Sequence, residues 1–435
     1  MTAPSITVDQ AKLVLNAFAA TFQNNLVSAD AVSWRQYDGE LNDRNALTVT
    51  EQVGPRYTVT QTTNGVADLT AGVQNTVFGS EQFTVNKTFG ASMGWGDFVK
   101  IQSIGEARES EALKNAATNL AEQIDAYIMR VAVLASNQWL GTPANGINTW
   151  DDYAQAYTRL KEVGGSDADL RSMLTYKDRE TLGAYVLTLK SDDFVEGTFR
   201  KGFEGSIDGT PVMFTQQLPI ITTGTRSATA GAPNANSQNV NYSAVSVSTG
   251  PGLYMTQPFV INNLGANATI KAGEVFTVSG VFGYDNRAQA NNDWLQEYTV
   301  IADATANSSG VATVTIFPAM IVPGSGSGGD ISVNTANATV SRAPTTADTI
   351  TFVGAASTSY RPRVFMEKQA IVVNTVPLIM PAVGKALSKS LTKVPASVRM
   401  WQWSNFQTGE HDVRFDIALT ANIRDRRRII RMNGN

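Results

Sequence analysis

Residues Glu106 to Gln138 constrain the fold more than any other stretch. No glycine or proline interrupts them, and apolar side chains recur at Leu113, Ala117, Leu120, Ile124, Tyr127, Val131 and Leu134. The steps alternate four and three, which lines these residues along one face of a helix. Glu109, Glu111, Lys114, Asn119, Glu122 and Asp125 fall mostly off that stripe. The pattern predicts one helix of about 33 residues, roughly 50 Å long at 1.5 Å per residue. Globular helices average about a third of that length. A rod spanning a whole subunit suits a protein built for shape at least as well as one built for catalysis.

At 435 residues the chain has room for two or three domains with sizeable cores. Charged residues make up only 17%, below the usual quarter, and Ala, Thr, Asn, Ser and Gly fill the gap. Such a surface is one that other subunits can cover. The net charge of −4 argues against a dedicated nucleic-acid binder. Without cysteine there are no disulfides, thiolate metal sites or cysteine nucleophiles. The N-terminus lacks the features of a signal peptide and no run of 18 apolar residues occurs, so a cytosolic protein without a membrane span is expected.

Along the chain, Ser5 to Leu26 reads as an amphipathic helix with Val8, Ala11, Leu15, Phe18 and Phe22 on one side and Ser5 or Thr7 as its cap. Ala46 to Phe89 is extended in character, with Gly54-Pro55 and Asn64-Gly65 as turn signals, but too poor in large apolar residues for its own core. A long two-stranded ribbon lying on something else is expected. Helices follow near Trp150–Val163 and Lys177–Leu187, and short strands near Phe199–Phe214. Between Gly224 and Ser357 the composition changes: up to Ile270 the only charged residue is Arg226. Turn signals separate β-rich runs at Val245–Val247, Phe259–Ile261, Val275–Val278, Tyr298–Ile301, Val311–Phe317, Ile331–Val333 and Ile350–Val353. These predict a separate antiparallel barrel or sandwich, with Gly324–Gly329 as a flexible loop. Strands return after Tyr360, with Arg363–Val373 as one apolar segment. Val413, Phe415, Ile417 and Leu419 alternate with more polar neighbours as a half-buried strand. A β module therefore interrupts an α+β frame.

Little in the chain points to chemistry. His411, the single histidine, sits in what reads as a hairpin loop, and no G-x-S-x-G accompanies it. The acid pairs Asp151-Asp152 and Asp192-Asp193 are read as helix-start or turn residues. Gly164-Gly165 and Gly324–Gly329 do not match a phosphate loop. Arg424, Arg426, Arg427, Arg428 and Arg431 form the one basic cluster. It could face nucleic acid, pair with neighbouring subunits, or form a solvated terminus. Trp401-Gln402-Trp403 and Trp95 are read as core before interface anchors. No catalytic residue, metal ligand or cofactor site is expected.

The order of elements resembles the major capsid protein of tailed bacteriophages with the Hong Kong 97-like fold. The closest likeness is to the P-twenty-two type coat proteins, which carry an inserted β-barrel. The residues carrying it are Thr50-Glu51-Gln52-Val53, Phe83-Thr84-Val85-Asn86 leading through Phe89 to Asp97-Phe98, and Gln217-Leu218-Pro219-Ile220-Ile221 at the mouth of the insertion. Lys271-Ala272-Gly273-Glu274-Val275-Phe276 lies within it, and Ile417-Ala418-Leu419 with Arg424 closes the chain. The likeness in order covers nearly the whole chain, and it weighs more than the individual motifs, which are short.

The resemblance implies an α+β capsid fold divided into an N-terminal arm (1–45), an extended loop (46–86), peripheral and axial regions around a spine helix (87–221), an inserted barrel (222–357) and the remaining strands (358–435). It implies pentamers and hexamers of one chain in an icosahedral shell around double-stranded DNA, with scaffolding and portal proteins as partners, assembled in the host cytoplasm. A nanocompartment shell or another phage structural protein is the alternative. Arg56, Tyr57, Trp95, Phe98, Arg424, Arg426, Arg427 and Arg428 are the candidate subunit-interface residues. Some relatives cross-link through a lysine in the extended loop, but no lysine occurs between Lys12 and Lys87, so no such link is expected.

Overall fold

The structure is a computed structural model that describes residues 8–37, 47–53, 56–57, 79–94, 111–147, 149–163, 169–188, 206–207, 210–227, 231–243, 255–326, 330–381, 385–404 and 411–434. Two compact units divide the chain. One holds Met1–Val49, Phe83–Val131 and Lys368–Arg424; the other holds Thr50–Gln82, Ala132–Glu367 and Asp425–Asn435.

The rod predicted over Glu106–Gln138 is a helix over Glu111–Ala135; its expected first residues lie outside the described ones. It stops early at the far end because Ser136 turns the chain and Gln138 opens a strand, Gln138–Pro143. Leu113, Ala117, Leu120 and Ile124 are buried as expected, but Tyr127, Val131 and Leu134 are only half-buried. Ile128, Met129, Ala132 and Val133 take the core positions instead. A stripe of alternating fours and threes drifts about 20° per heptad around a 3.6-residue helix, so over three turns-by-seven it leaves the buried face. Asp125, placed mostly off the stripe, is also buried. Its carboxylate accepts from the backbone N–H of Val27 (2.9 Å) and Ser28 (3.0 Å) and so anchors the turn after the first helix.

In the first unit, helix Val8–Asn25 lays Ala11, Leu15, Phe18 and Phe22 against a sheet, with Phe18 stacked on Phe415 at 3.9 Å. The sheet runs Ser33–Gln36, Ile371–Thr375, His411–Ile423, Ser397–Ser404, Lys385–Ser390, with Thr88–Gly94 also paired to His411–Ile423. Three expectations are corrected here. The strand bearing Val413, Phe415, Ile417 and Leu419 is half-buried only at its start, where Asp412 and Arg414 are exposed; from Asp416, paired with Arg399 and Arg414, through Ala418 and Thr420 both faces are buried. His411 is the first residue of that strand, paired with Ser404, and not part of a loop. Trp403 is 43% exposed and Trp401 half-buried, so neither is a core residue. The outer part of the predicted ribbon lies outside the described residues, but its base is present: Leu47–Val53 pairs with Gly79–Val85.

The second unit holds a six-stranded sheet ordered Gln138–Pro143, Ile429–Gly434, Pro362–Glu367, Leu170–Leu174, Thr210–Phe214, Ser206–Ile207. The apolar segment Arg363–Val373 is thus two strands, Pro362–Glu367 and Ile371–Thr375, in different sheets, separated by a 3-10 turn at Lys368–Ala370. Helices Trp150–Glu162 and Tyr176–Thr188 flank this sheet's chain connections. Thr149 and Asp152 form a reciprocal capping box, which gives the Asp151-Asp152 pair a structural role.

The inserted module is an antiparallel barrel. Its strands follow the order Ala232–Pro233, Gln257–Asn262, Ala312–Phe317, Ala290–Val300, Val275–Asp285, Ile350–Phe352. The N–H of Ile350 donates to Gly231 O at 2.8 Å and closes the ring. Phe259, Phe276, Tyr298, Val314 and Ile316 fill it. One β run fails: Ile331–Val333 lies in helix Asp330–Ala336. β propensity depends on context, and here the helix overrides it. The run Val245–Val247 lies outside the described residues.

Candidate assembly site

The barrel leaves and rejoins its host through a narrow neck, where Ile221–Thr222 pairs with Ser359–Tyr360. Thr223 N–H donates to Thr358 O at 3.0 Å. Just inside, Arg226 and Glu274 form an ion pair with no exposed side-chain surface, Nε to Oε2 at 2.5 Å. The other oxygen of Glu274 accepts from the backbone N–H of Gly224 and Lys271, each at 2.7 Å. Arg226 also stacks over Phe352 at 4.0 Å. A charge buried in this way persists only when paired and hydrogen-bonded. The lone charge of the 224–270 stretch therefore fastens the neck.

A second buried knot holds the barrel to the sheet. Arg431, fully buried in the strand Ile429–Gly434, donates to Gly273 O, to Ser136 O at 2.7 Å and to Thr299 Oγ1 at 3.0 Å. One guanidinium thus ties the turn after the long helix, the barrel and the C-terminal strand. Gly273 has φ +91°, and a Cβ there would lie 2.7 Å from Leu134 Cδ2, so the turn requires glycine. Beside the knot, Glu297 accepts from Trp139 N–H at 3.1 Å. Burial pushes the Glu297 carboxyl up to about 7, against the pull of Arg159, the Trp139 N–H and Arg431. Burial also lowers Arg431, to about 9, which leaves it charged at neutral pH. Sequence reasoning grouped Arg431 with the surface arginines and missed Glu297 altogether. The available signal for Arg431 was a single charge inside the apolar run Ile429-Ile430-Arg431-Met432; Glu297, between Gln296 and Tyr298, carried none.

The candidate interface residues separate. Arg56, Tyr57, Arg427 and Arg428 line one groove of about 900 Å³ in the second unit, together with Lys161 and Arg287. Within that groove Arg428 binds both carboxylate oxygens of Glu367 (2.8 and 2.9 Å), and Arg427 binds Asp425. Arg426 stacks over Phe317 at 5.0 Å. Arg424 belongs to the first unit and is exposed, its backbone N–H donating to Ala370 O. Trp95 and Phe98 lie outside the described residues. Among the described residues no group of His, Cys, Asp and Glu could hold a metal ion, and no helix is long and apolar enough to cross a membrane.

No curated protein sequence matches the chain. Solved structures similar to it include Mycobacterium phage Che8 (10% identity, 89% of this chain and 84% of that chain, TM-score 0.39). Another is the capsid of the cyanophage P-SCSP1u (10% identity, 94% and 88%, TM-score 0.39). A third is a virus-like particle from Pyrococcus furiosus (7% identity, 98% and 100%, TM-score 0.38). The profile of one sequence family, described as P22 coat protein, gene protein 5, matches residues 3–429. With an α+β frame, a long helix and an inserted antiparallel barrel within the matched span, the chain belongs to the P22 coat protein family and is a phage major capsid protein, a structural subunit of the virion shell.

Proposed function

We propose that the chain adopts the Hong Kong 97-like capsid fold and assembles, as pentamers and hexamers, into an icosahedral shell that encloses double-stranded DNA. Assembly takes place in the host cytoplasm around a scaffolding protein, with a portal protein at one vertex. The observation that carries this reading is the family match across residues 3–429, which takes in the long helix and the whole barrel. Heterologous contacts that close by rotation give rings, and rings tile a shell. The ribbon 46–86 reaches a neighbouring copy, and 222–357 acts as the inserted domain that braces the subunit. Arg56 and Tyr57, with Arg427 and Arg428 in the same groove, are the residues proposed to meet that neighbour. Without a lysine in the ribbon, the shell relies on buried surface and overlap instead of covalent links. Electron microscopy of the purified chain, with and without a candidate scaffolding protein, tests this. Closed shells of uniform diameter are expected; a chain that stays monomeric under all conditions overturns it.

A further inference from the structure

The first unit contains a pocket of about 380 Å³ whose charged lining residues are all cations: Arg35, Lys368, Lys393 and Arg424. Among the described residues no carboxylate lines it, in a chain whose net charge is −4. The four come from separate elements that the fold fixes independently. Arg35 is in the strand Ser33–Gln36, whose Arg35 O accepts from Thr375 Oγ1 at 3.2 Å. Lys368 opens the 3-10 turn Lys368–Ala370. Lys393 donates its N–H to Gln23 Oε1 at 3.0 Å, and Arg424 donates its own to Ala370 O at 2.8 Å. Lys393 Nζ pairs with the exposed Asp30 at 3.1 Å. Among the described residues Lys368 and Arg424 have no carboxylate partner. Like charges converge at a cost in free energy, and the Asp30 carboxylate offsets it at Lys393.

The apolar part of the lining gives no anchor. Val32, Val372 and Val394 are buried beneath the surface, and the Trp34 indole is held by its bond to Ser28 O at 3.1 Å. A protein segment gains most of its affinity from side chains seated in desolvated pockets. A duplex presents a charge every 1.7 Å or so and binds through released counterions, with no apolar anchor. We propose that this pocket binds the phosphodiester backbone of duplex DNA without regard to base sequence. The inference rests on the reading that the shell encloses such DNA, and it gives the cargo a contact point on the subunit.

The test is fluorescence anisotropy of a labelled 20-base-pair duplex with the full-length, unassembled chain. Two phosphate contacts, from Lys368 and Arg424, give a slope of log affinity on log salt of about −1.8, an affinity loss of about tenfold between 50 and 200 mM salt. In the double variant Lys368→Glu, Arg424→Glu, affinity falls at least about tenfold and the slope shallows by about 1.8. The milder Arg424→Gln, with a melting temperature measured alongside, shallows it by about 0.9 and covers the case in which the double variant misfolds. Unchanged binding in the variants, or no duplex binding by the parent chain, overturns the proposal. So does poly-glutamate that displaces the duplex at equal charge and is itself lost in the variants, which marks a seat for an acidic polypeptide. Particle formation is scored separately by microscopy. Particles without duplex binding remove the pocket and leave the shell; duplex binding without particles removes the shell reading instead.

Discussion

Glu297 illustrates how a side chain can be indispensable to packing and still respond to pH. Its carboxyl has left water, and only one N–H bond and two neighbouring guanidinium groups, Arg159 and Arg431, offset the loss. The folded state therefore keeps its proton up to about pH 7, whereas the unfolded carboxyl releases it near 4.5. Across that window the folded state binds more protons, so stability falls as pH rises. Between pH 6 and 8 the loss expected from this residue is about 1 kcal/mol. Urea unfolding followed by tryptophan fluorescence reads it. In Glu297→Gln, whose amide oxygen still accepts from Trp139 N–H, the slope over that interval flattens; an unchanged slope assigns the titration elsewhere. Arg431, by contrast, has three acceptors around a guanidinium that stays charged, and works as a fastener at all moderate pH.

At the scale of elements, the long helix separates what periodicity can and cannot say. Its existence followed from spacing and from the absence of glycine and proline, while its buried face past Ile124 followed from the drift between a heptad stripe and a 3.6-residue helix. Ile128 is fully buried and Val131 only half so. Ile128→Ala is expected to cost about 3 kcal/mol and Val131→Ala about 1, measured as the change in urea midpoint at constant slope. Equal losses would mean that Val131 carries as much packing as Ile128. The helix Asp330–Ala336 shows the opposite case, where a run read as a strand from Ile331 and Val333 is helical. Likewise Arg363–Val373, one apolar run in sequence, divides at Lys368 because its halves serve different sheets.

For the whole molecule, the consequence lies at the neck. Thr223 and Thr358 are hydrogen-bonded neighbours, so removal of Gly224–Ser357 with a short linker leaves the host chain geometrically continuous. It does not leave it satisfied. The Arg431 guanidinium loses Gly273 O and Thr299 Oγ1, and Trp139 N–H loses Glu297. Water can replace these partners, but the apolar surface that Val275 covered on Trp139 is bared. The deletion is expected to pellet as aggregate or to give particles of wrong size, seen by sedimentation and microscopy. Shells of normal diameter from the deleted chain would sink the idea that the barrel braces its subunit.

From sequence alone came the rod, the ribbon's extended character and the composition break that marks the barrel, because each is written in local spacing and residue type. The candidate interface residues were legible only as types. That four share one groove while Arg424 lies in another unit depends on which strands meet. Only the tertiary structure decided that Arg226, Glu274, Glu297 and Arg431 are buried knots and that Lys368, Lys393, Arg35 and Arg424 converge. A charge's role depends on what surrounds it, and its partners here lie from about fifty to several hundred residues away, beyond the reach of any local pattern.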